Sequence, residues 1–525
     1  MKGTSNQRIA RAAGTVMAAF VFSNLAGLLR QILVAKAFGT SAELDAFNAA
    51  NRVSETLFTL VAGGALGSAF IPTFTGLLTQ EKRRQAWQLA SAITNWLLIV
   101  LILLSLLAMG LAPQVVRYLL ASGYANDPAQ EALTVELLRL MLPSAVLFGL
   151  SGLVMGILNS HQVFLIPALT PSMYQFGLIF GVQVLSPQVG IRGLAWGVVL
   201  GAALHLALQI PSLFRLRGEY KPILGLDLPP LGEVLLLMGP RLLGQAVVQL
   251  NFWVNTNLAS FQPEGSVTGI QFGFALMLMP QAAIAQSVAI AAMPTLAAQY
   301  ALGRLEEVRA SLAASLRGVL LLSIPASLGL ILLRIPLVTT LYQRGQFTPY
   351  STELVAWALL WYAAGLVGHC LVEVLARAFY ALHDTKTPVV VGIGAMSLNV
   401  LLSFLLSSLF SRLGWMPHGG LALANSLATA LEATALLILI RRRLNGIEGR
   451  RLLKGSMQAS VSALGMVLGL VAWLSLATQA PTWLVLLGGL LLGGMIYGVG
   501  LLILSVPEAR SLLRWVTRHP IGLKP

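Results

Sequence analysis

The sequence predicts an all-α polytopic membrane protein, and three observations carry that reading. Of 525 residues, 57% are hydrophobic and only 10% are charged, where soluble chains carry about 25% charged residues. Apolar stretches recur along the whole chain between short polar breaks, and roughly 20 residues rising 1.5 Å each are needed to cross a bilayer. The lysines and arginines behind the formal net charge of +15 gather in alternate breaks. Soluble enzymes are excluded, and basic clusters such as Lys82-Arg83-Arg84 and Arg441-Arg442-Arg443 read as topology signals and lipid-headgroup contacts rather than nucleic-acid sites.

The stretches give fourteen spans. Span one (12–35) follows Arg8 and Arg11 and carries Arg30 near its outer end, where snorkelling to the interface competes with a functional role. Span two (46–78) is long, and Asp45, Asn48, Arg52 and Glu55, spaced by three, four and three, share one helix face. That face is either a ligand-facing polar wall or the seat of a self-satisfied Arg52–Glu55 pair. Spans three to six (88–112, 133–157, 165–185, 192–214) are apolar, with His205 near the middle of the sixth. Span seven (232–258) places Arg241, Gln245 and Gln249 at spacings of four, with Asn255 near the same face; a helix-to-helix hydrogen-bonding seam is the structural alternative. Span eight (267–298) is long, and span nine covers 313–333. In span ten (354–376) His369, Glu373 and Arg377 are four apart, with Glu373 and Arg377 placed for a local ion pair. Spans eleven and twelve (388–410, 418–440) precede a nearly charge-free pair, 456–477 and 482–505.

With the N-terminus inside, the large majority of lysines and arginines fall on the cytoplasmic side, so both termini are expected there. The single cysteine, Cys370, lies in an apolar stretch and excludes a disulfide framework or a thiolate metal cluster. No cleavable signal is expected, because the first apolar segment is span-length and lacks a small-residue cleavage site.

Self-comparison reveals a repeat. Ala69-Phe-Ile-Pro72-Thr73 resembles Ala292-Met-Pro294-Thr295, and Ser122-Gly123-Tyr124 resembles Arg344-Gly345-Gln346-Phe347, both offset by 222; Pro167 pairs with Pro388 at 221, and Gly193-Leu-Ala195 with Gly420-Leu-Ala422 at 227. Six spans per repeat is an even number, so the halves run parallel about an axis along the membrane normal. The expected organisation is an N-terminal lobe (1–222), a C-terminal lobe (223–445), and a further pair of spans with a basic cytoplasmic tail (446–525). Two such lobes rocking about a central cavity describe an alternating-access transporter. The 227 offset makes His205 and Glu432 pseudosymmetric mates expected to face the lobe interiors, and these two, with Glu373, are candidates for proton coupling. No phosphate loop and no metal-spaced histidine cluster occurs, so no cofactor or metal is expected, while coupling to an ion or to the membrane potential stays open.

The run Phe22-Ser-Asn-Leu-Ala-Gly-Leu-Leu-Arg30, then Ala35-Lys-Ala-Phe-Gly39, Leu44-Asp-Ala-Phe47 and Gly64-Ala-Leu-Gly-Ser-Ala-Phe-Ile-Pro72, resembles the start of the MurJ/MviN lipid II flippase family of the MOP transporter superfamily. Met238-Gly-Pro240, Leu341-Tyr-Gln-Arg-Gly-Gln-Phe-Thr348 and Phe379-Tyr-Ala-Leu-His-Asp-Thr-Lys-Thr-Pro388 extend the likeness over most of the chain. The resemblance implies a monomer in the bacterial cytoplasmic membrane that exports an undecaprenyl-pyrophosphate-linked peptidoglycan precursor, with the headgroup in the central cavity and the lipid tail along spans thirteen and fourteen. A pyrophosphate needs cationic, hydrogen-bonding walls. Arg30, Arg52 and Arg241 are expected to supply them, alongside Asp45, Asn48, Glu55, Gln245, Gln249 and Asn24. The chain departs from the family where Asn24 replaces an arginine, Phe58 a basic residue, Gly63 an acidic one, and Ala275 and Leu278 an arginine and a glutamate. The other readings are a flippase for a different undecaprenyl-pyrophosphate-linked glycan, a MATE-like ion-coupled drug antiporter, and a non-transporting scaffold.

Overall fold

The computed structural model describes residues 5–60 and 66–510. Lys2, Gly63, Arg514, Arg518 and Lys524 lie outside the described residues, as does the side chain of Arg241. No strand occurs among the described residues. The helices are α1 (Ser5–Phe38), α2 (Ala42–Phe58), α3 (Leu66–Thr79), α4 (Arg83–Gly110), α5 (Ala112–Val115), α6 (Pro128–Met141), α7 (Pro143–Ser160), α8 (Leu165–Phe180), α9 (Ser186–Val189), α10 (Ile191–Ala207), α11 (Ile210–Arg215) and α12 (Pro229–Ser260), then α13 (Ser266–Gln281), α14 (Ser287–Ala301), α15 (Leu305–Tyr342), α16 (Pro349–Ala364), α17 (Leu366–Ala381), α18 (Lys386–Arg412), α19 (His418–Arg443), α20 (Gly449–Leu476) and α21 (Thr482–Ile503).

Thirteen of the fourteen expected spans each coincide with one helix or a run of adjoining helices, while span two covers α2 and α3 and includes residues 61–65, which lie outside the described residues. Among the described residues, eleven such segments are long and apolar enough to cross a membrane, and α16 with α17 makes a twelfth if their 49° bend is taken as one broken span. The polar-striped α2 and α12 are not among these. Several spans are less regular than their continuous hydropathy suggests. Proline interrupts the fourth between α6 and α7, because Pro143 has no N–H for the helical ladder. π-helical turns at Gly181–Leu185 and Ala282–Gln286 interrupt the fifth and eighth. Leu103, Leu107, Val390, Phe404, Leu464 and Leu491 are all exposed large apolar residues on these spans. Such a surface is unfavourable in water and ordinary against lipid.

The chain forms two compact units, Met1–Val267 with Arg344–Phe347, and Thr268–Gln343 with Thr348–Pro525. This division by contact cuts at a different place from the division by repeat, because α12 joins the first unit. In the first unit, Phe70 and Phe74 of α3, Trp87, Leu97 and Leu101 of α4, Leu153 and Ile157 of α7, and Leu231 and Val234 of α12 share one buried cluster. α8 and α10 cross at near backbone contact, since a Cβ on Gly177 would collide with the Gly201 backbone and one on Gly181 would meet Gly197. Small residues at such crossings let membrane helices gain dispersion contact where no hydrophobic force acts between them. The linker after α11 is tied to α4: Asn95 Nδ2 donates to the Ile223 carbonyl at 2.7 Å and Trp96 Nε1 to that of Leu224 at 2.9 Å.

In the second unit the last two spans pack on α15, with Leu333, Met466, Leu470, Leu486 and Tyr497 in one cluster. The Tyr497 hydroxyl donates to the Leu321 carbonyl at 2.6 Å. Buried Arg317 of α15 places Nε 3.1 Å from Glu508. α16 and α17 pack on α19, where His369 Nε2 meets Asn425 Oδ1 at 3.1 Å.

Candidate functional site

The polar face of α2 divides into two ends. At its N-terminus, the Ser41 hydroxyl caps the Leu44 N–H at 3.3 Å, Glu264 accepts the Ala42 N–H at 2.7 Å, and buried Asp45 accepts the Gly265 N–H at 2.8 Å. Acidic groups are favourable there because the first amides of a helix have no helical partners and carry its positive dipole end. Asp45 thus fastens the loop after α12, and Asn48 is buried one turn on.

Seven residues beyond Asp45, about 10 Å along the axis, lies the second end. Arg52 Nη1 is 3.1 Å from Glu55 Oε2, and Asn51 Nδ2 donates to Glu55 Oε1 at 2.8 Å, so both carboxylate oxygens are engaged. The Arg52 guanidinium stands 5.2 Å over the Phe252 ring of α12, within cation–π range. Thr56 joins the same two helices: its hydroxyl lies 3.3 Å from Gln249 Oε1 and accepts Trp253 Nε1–H at 2.8 Å. Tyr174 of α8 lies beside Asn51 and within electrostatic reach of Arg30 and Glu55. Arg52, Glu55 and Gln249 therefore gather around Thr56 in the first unit, with Arg30 in electrostatic reach of the neighbouring Tyr174, whereas Asp45 serves the helix start. Asn24 is exposed on α1, and Gln245 is half-buried on α12 one turn before Gln249. Arg241 sits on α12 a turn earlier again, its side chain outside those described.

This cluster suits an anion. Guanidinium has five donors, one of which spans to Glu55, and Arg52 keeps 19% of its side chain accessible against 40% for Glu55. An incoming phosphate competes with Glu55 for the remaining donors and for bidentate geometry. In this structure Glu55 is the carboxylate paired with Arg52.

Asn51, Thr56, Tyr174, Phe252 and Trp253 did not stand out in the sequence. Phe252 lies three residues after Gln249 and so shares its face, but an aromatic residue in an apolar span carries no polar signal. Phe58 packs its ring 4.7 Å from that of Phe148.

The coupling candidates are in unlike surroundings. His205 is buried, with Nδ1 2.6 Å from Ser151 Oγ, and Gln209 Nε2 donates to the same hydroxyl at 2.5 Å and to the His205 carbonyl at 3.1 Å. Glu432 is half-buried and turned toward α18, where its carboxylate is 3.4 Å from the position of a Cβ on Gly392. Glu373 pairs with Arg377 at 2.6 Å. Replacing His205 with alanine takes the ring-nitrogen partner from the buried Ser151 hydroxyl, and is expected to destabilise the protein by about 1–3 kcal/mol, read from the thermal unfolding midpoint in detergent.

Two of the recurring motifs are structural. Asp384 accepts the Thr387 N–H at 3.0 Å, the Thr387 hydroxyl at 2.8 Å and Arg443 Nη1 at 2.6 Å, clasping the start of α18 to the end of α19. The Thr387 N–H, aided by the Thr387 hydroxyl and Arg443, holds the Asp384 carboxyl below the usual range against a smaller opposing effect of burial. In the 341–348 run, Gln346 N–H donates to the Lys36 carbonyl at 2.9 Å.

A family model described as Lipid II flippase MurJ matches residues 34–491. The chain belongs to the MurJ family. It is 32% identical over 441 residues to the lipid II flippase MurJ of Burkholderia cenocepacia, covering 82% of this chain and 84% of that protein. It is 30% identical over 445 residues to the probable lipid II flippase MurJ of Vibrio cholerae, covering 82% and 83%. Among solved structures, lipid II flippase MurJ in an inward closed conformation superposes with a TM-score of 0.80 at 26% identity, over 95% of this chain and 99% of that one. An inward-facing MATE-family multidrug transporter of the MOP superfamily gives 0.66 at 16% identity over 82% and 98%. That likeness shows a shared fold alone, so MurJ membership is what separates this chain from the drug exporters.

Proposed function

We propose that this chain is a transporter that carries lipid II from the cytoplasmic to the outer leaflet of the bacterial cytoplasmic membrane by alternating access. Family membership across most of the chain is the observation that carries the reading, and the Arg52 cluster gives it a chemical basis. Moving a pyrophosphate through hydrocarbon unaided would strip its hydration at great cost. Arg30 and Arg52 replace water as donors, with Arg241 on the same face of α12 as Gln245 and Gln249. Arg52 passes from Glu55 to the phosphate as the headgroup enters and returns as it leaves, so the empty carrier never holds an unpaired buried charge.

In this reading the lobes 1–222 and 223–445 rock about the headgroup, both termini are cytoplasmic, and the protein works as a monomer without cofactor. The prenyl tail runs along the nearly charge-free spans 456–477 and 482–505, where Leu464, Leu468, Leu487 and Leu491 present an exposed apolar face. His205, Glu373 and Glu432 are the groups through which an ion gradient or the membrane potential would act.

One second reading has specific support. Asn24, Phe58, Ala275 and Leu278 remove charge that the family resemblance leads one to expect, and a less cationic cavity suits another undecaprenyl-pyrophosphate-linked glycan. Complementation decides between them. In a host depleted of its own lipid II flippase, this chain is expected to restore growth; failure to do so with the protein inserted at normal levels would point to the other glycan.

A further inference from the structure

A pocket of about 530 Å³ opens in the second unit between the C-terminal end of α15, the start of α16 and the 413–417 loop that joins α18 to α19. One wall is aromatic. Trp415, 46% exposed, lies 6.3 Å from Trp361 at an interplanar angle of 28°, and is braced edge-on by Trp357 at 5.8 Å and Phe410 at 5.2 Å. The indole N–H of Trp357 is committed to the Met416 carbonyl at 3.0 Å, and the Trp357 ring occupies the space a Cβ on Gly419 would need. The platform is therefore held in place from behind.

The lining also carries polar groups. Arg334 Nη1 donates to the Ile331 carbonyl at 2.6 Å, and no carboxylate lies within ion-pair distance of it among the described residues, so most of its five donors remain for a ligand. Gln343 accepts the Thr352 hydroxyl at 2.9 Å, which leaves its amide nitrogen as a donor, and exposed Glu353 adds an acceptor.

An aromatic face and hydrogen-bond donors and acceptors lining one pocket suit a molecule with an apolar face and polar edges, which is the chemistry of a sugar ring. A drug-like hydrocarbon has no use for Arg334 and Glu353 together, and a bare phosphate has none for a tryptophan platform. Tryptophans that merely anchor a protein at the bilayer surface sit with their rings in the interface, whereas these pack on one another. The volume falls within the roughly 300–1,000 Å³ of small-molecule sites. With both termini cytoplasmic, the loops on either side of this pocket, 343–348 and 413–417, face outward.

We propose that this pocket is a saccharide-binding site on the outer face, distinct from the Arg52 cluster, which receives the amino-sugar part of the headgroup as it is released. The inference deepens the flippase reading and rests on it for the side of the membrane and the kind of sugar. The test is saturation-transfer NMR on the full chain in lipid nanodiscs, with the disaccharide N,N′-diacetylchitobiose as probe. Transfer to the sugar ring protons is expected, falling at least fivefold in Trp415→Ala and in Arg334→Gln, and unchanged in Trp483→Ala, which removes an exposed tryptophan at the start of α21. Where Trp415→Ala fails to insert, Arg334→Gln carries the same test. No transfer above empty nanodiscs overturns the proposal, as does transfer that survives the pocket variants or falls equally in Trp483→Ala. Failed complementation with intact disaccharide binding would refute the lipid II reading and leave the pocket standing.

Discussion

Arg52→Ala is expected to lower lipid II translocation by roughly ten- to a hundredfold while leaving the protein folded and inserted. The magnitude follows from the loss of charge-assisted hydrogen bonds worth about 1.5–3 kcal/mol each, at a factor of ten per 1.4 kcal/mol. Folding is spared because Glu55 keeps its bond from Asn51 and is 40% accessible, so its charge is not stranded. Arg52→Lys keeps the charge but loses the planar fork and the stacking on Phe252, and should fall between wild type and alanine. Glu55→Gln separates the two roles of the pair. If Glu55 is only the counter-ion of the empty state, the amide variant binds the headgroup more tightly and releases it more slowly. Translocation of short-chain lipid II in proteoliposomes checks all three, and a wild-type rate in Arg52→Ala would remove this cluster from the transport path.

The second large effect is on assembly. Gly39 and Gly345 both have left-handed backbones, with φ of 60° and 61°. A Cβ on Gly39 would collide with the Gln346 carbonyl, and one on Gly345 with the Lys36 carbonyl. Backbone atoms cannot swing aside, so alanine at either position adds steric displacement to the strain of about 1–3 kcal/mol that a left-handed non-glycine residue bears. The same packing recurs at the repeat-related position: Gly123 N–H donates to Ser260 Oγ at 2.9 Å, and a Cβ there would strike the Ser260 carbonyl. Gly303 and Gly414 also have positive φ, but nothing lies within 4 Å of their virtual Cβ atoms. Gly345→Ala should therefore lower the unfolding midpoint in detergent well beyond Gly303→Ala. Equal midpoints would mean that only backbone strain matters and that the contact with Lys36 is dispensable.

These two predictions draw on different parts of what the sequence discloses. The spans were legible because membrane burial writes itself as continuous apolarity. Their internal breaks were not, since a π-turn such as Gly181–Leu185 leaves composition unchanged. The repeat was legible through glycines, and the structure explains why: Gly123 and Gly345 each meet a backbone that admits no side chain. At the site, spacing alone brought out the Arg52–Glu55 face. It could not separate Asp45, committed to Gly265, from Arg52, because both lie on one stripe and only the loop after α12 distinguishes them. Phe252, Trp253 and Tyr174 were hidden by their apolar character. The offset linking His205 to Glu432 is real in the sequence, yet one meets Ser151 and the other faces Gly392. Pseudosymmetry of the backbone did not extend to those side chains.

The most direct measurement is of the outer leaflet itself. In cells depleted of their native flippase and expressing this chain, lipid II accessible to an externally added, membrane-impermeant lipid II-cleaving enzyme should return to normal levels, and Arg52→Ala expressed equally should not restore it. Lipid II that stays protected, with the wild-type chain correctly inserted and abundant, would contradict the account.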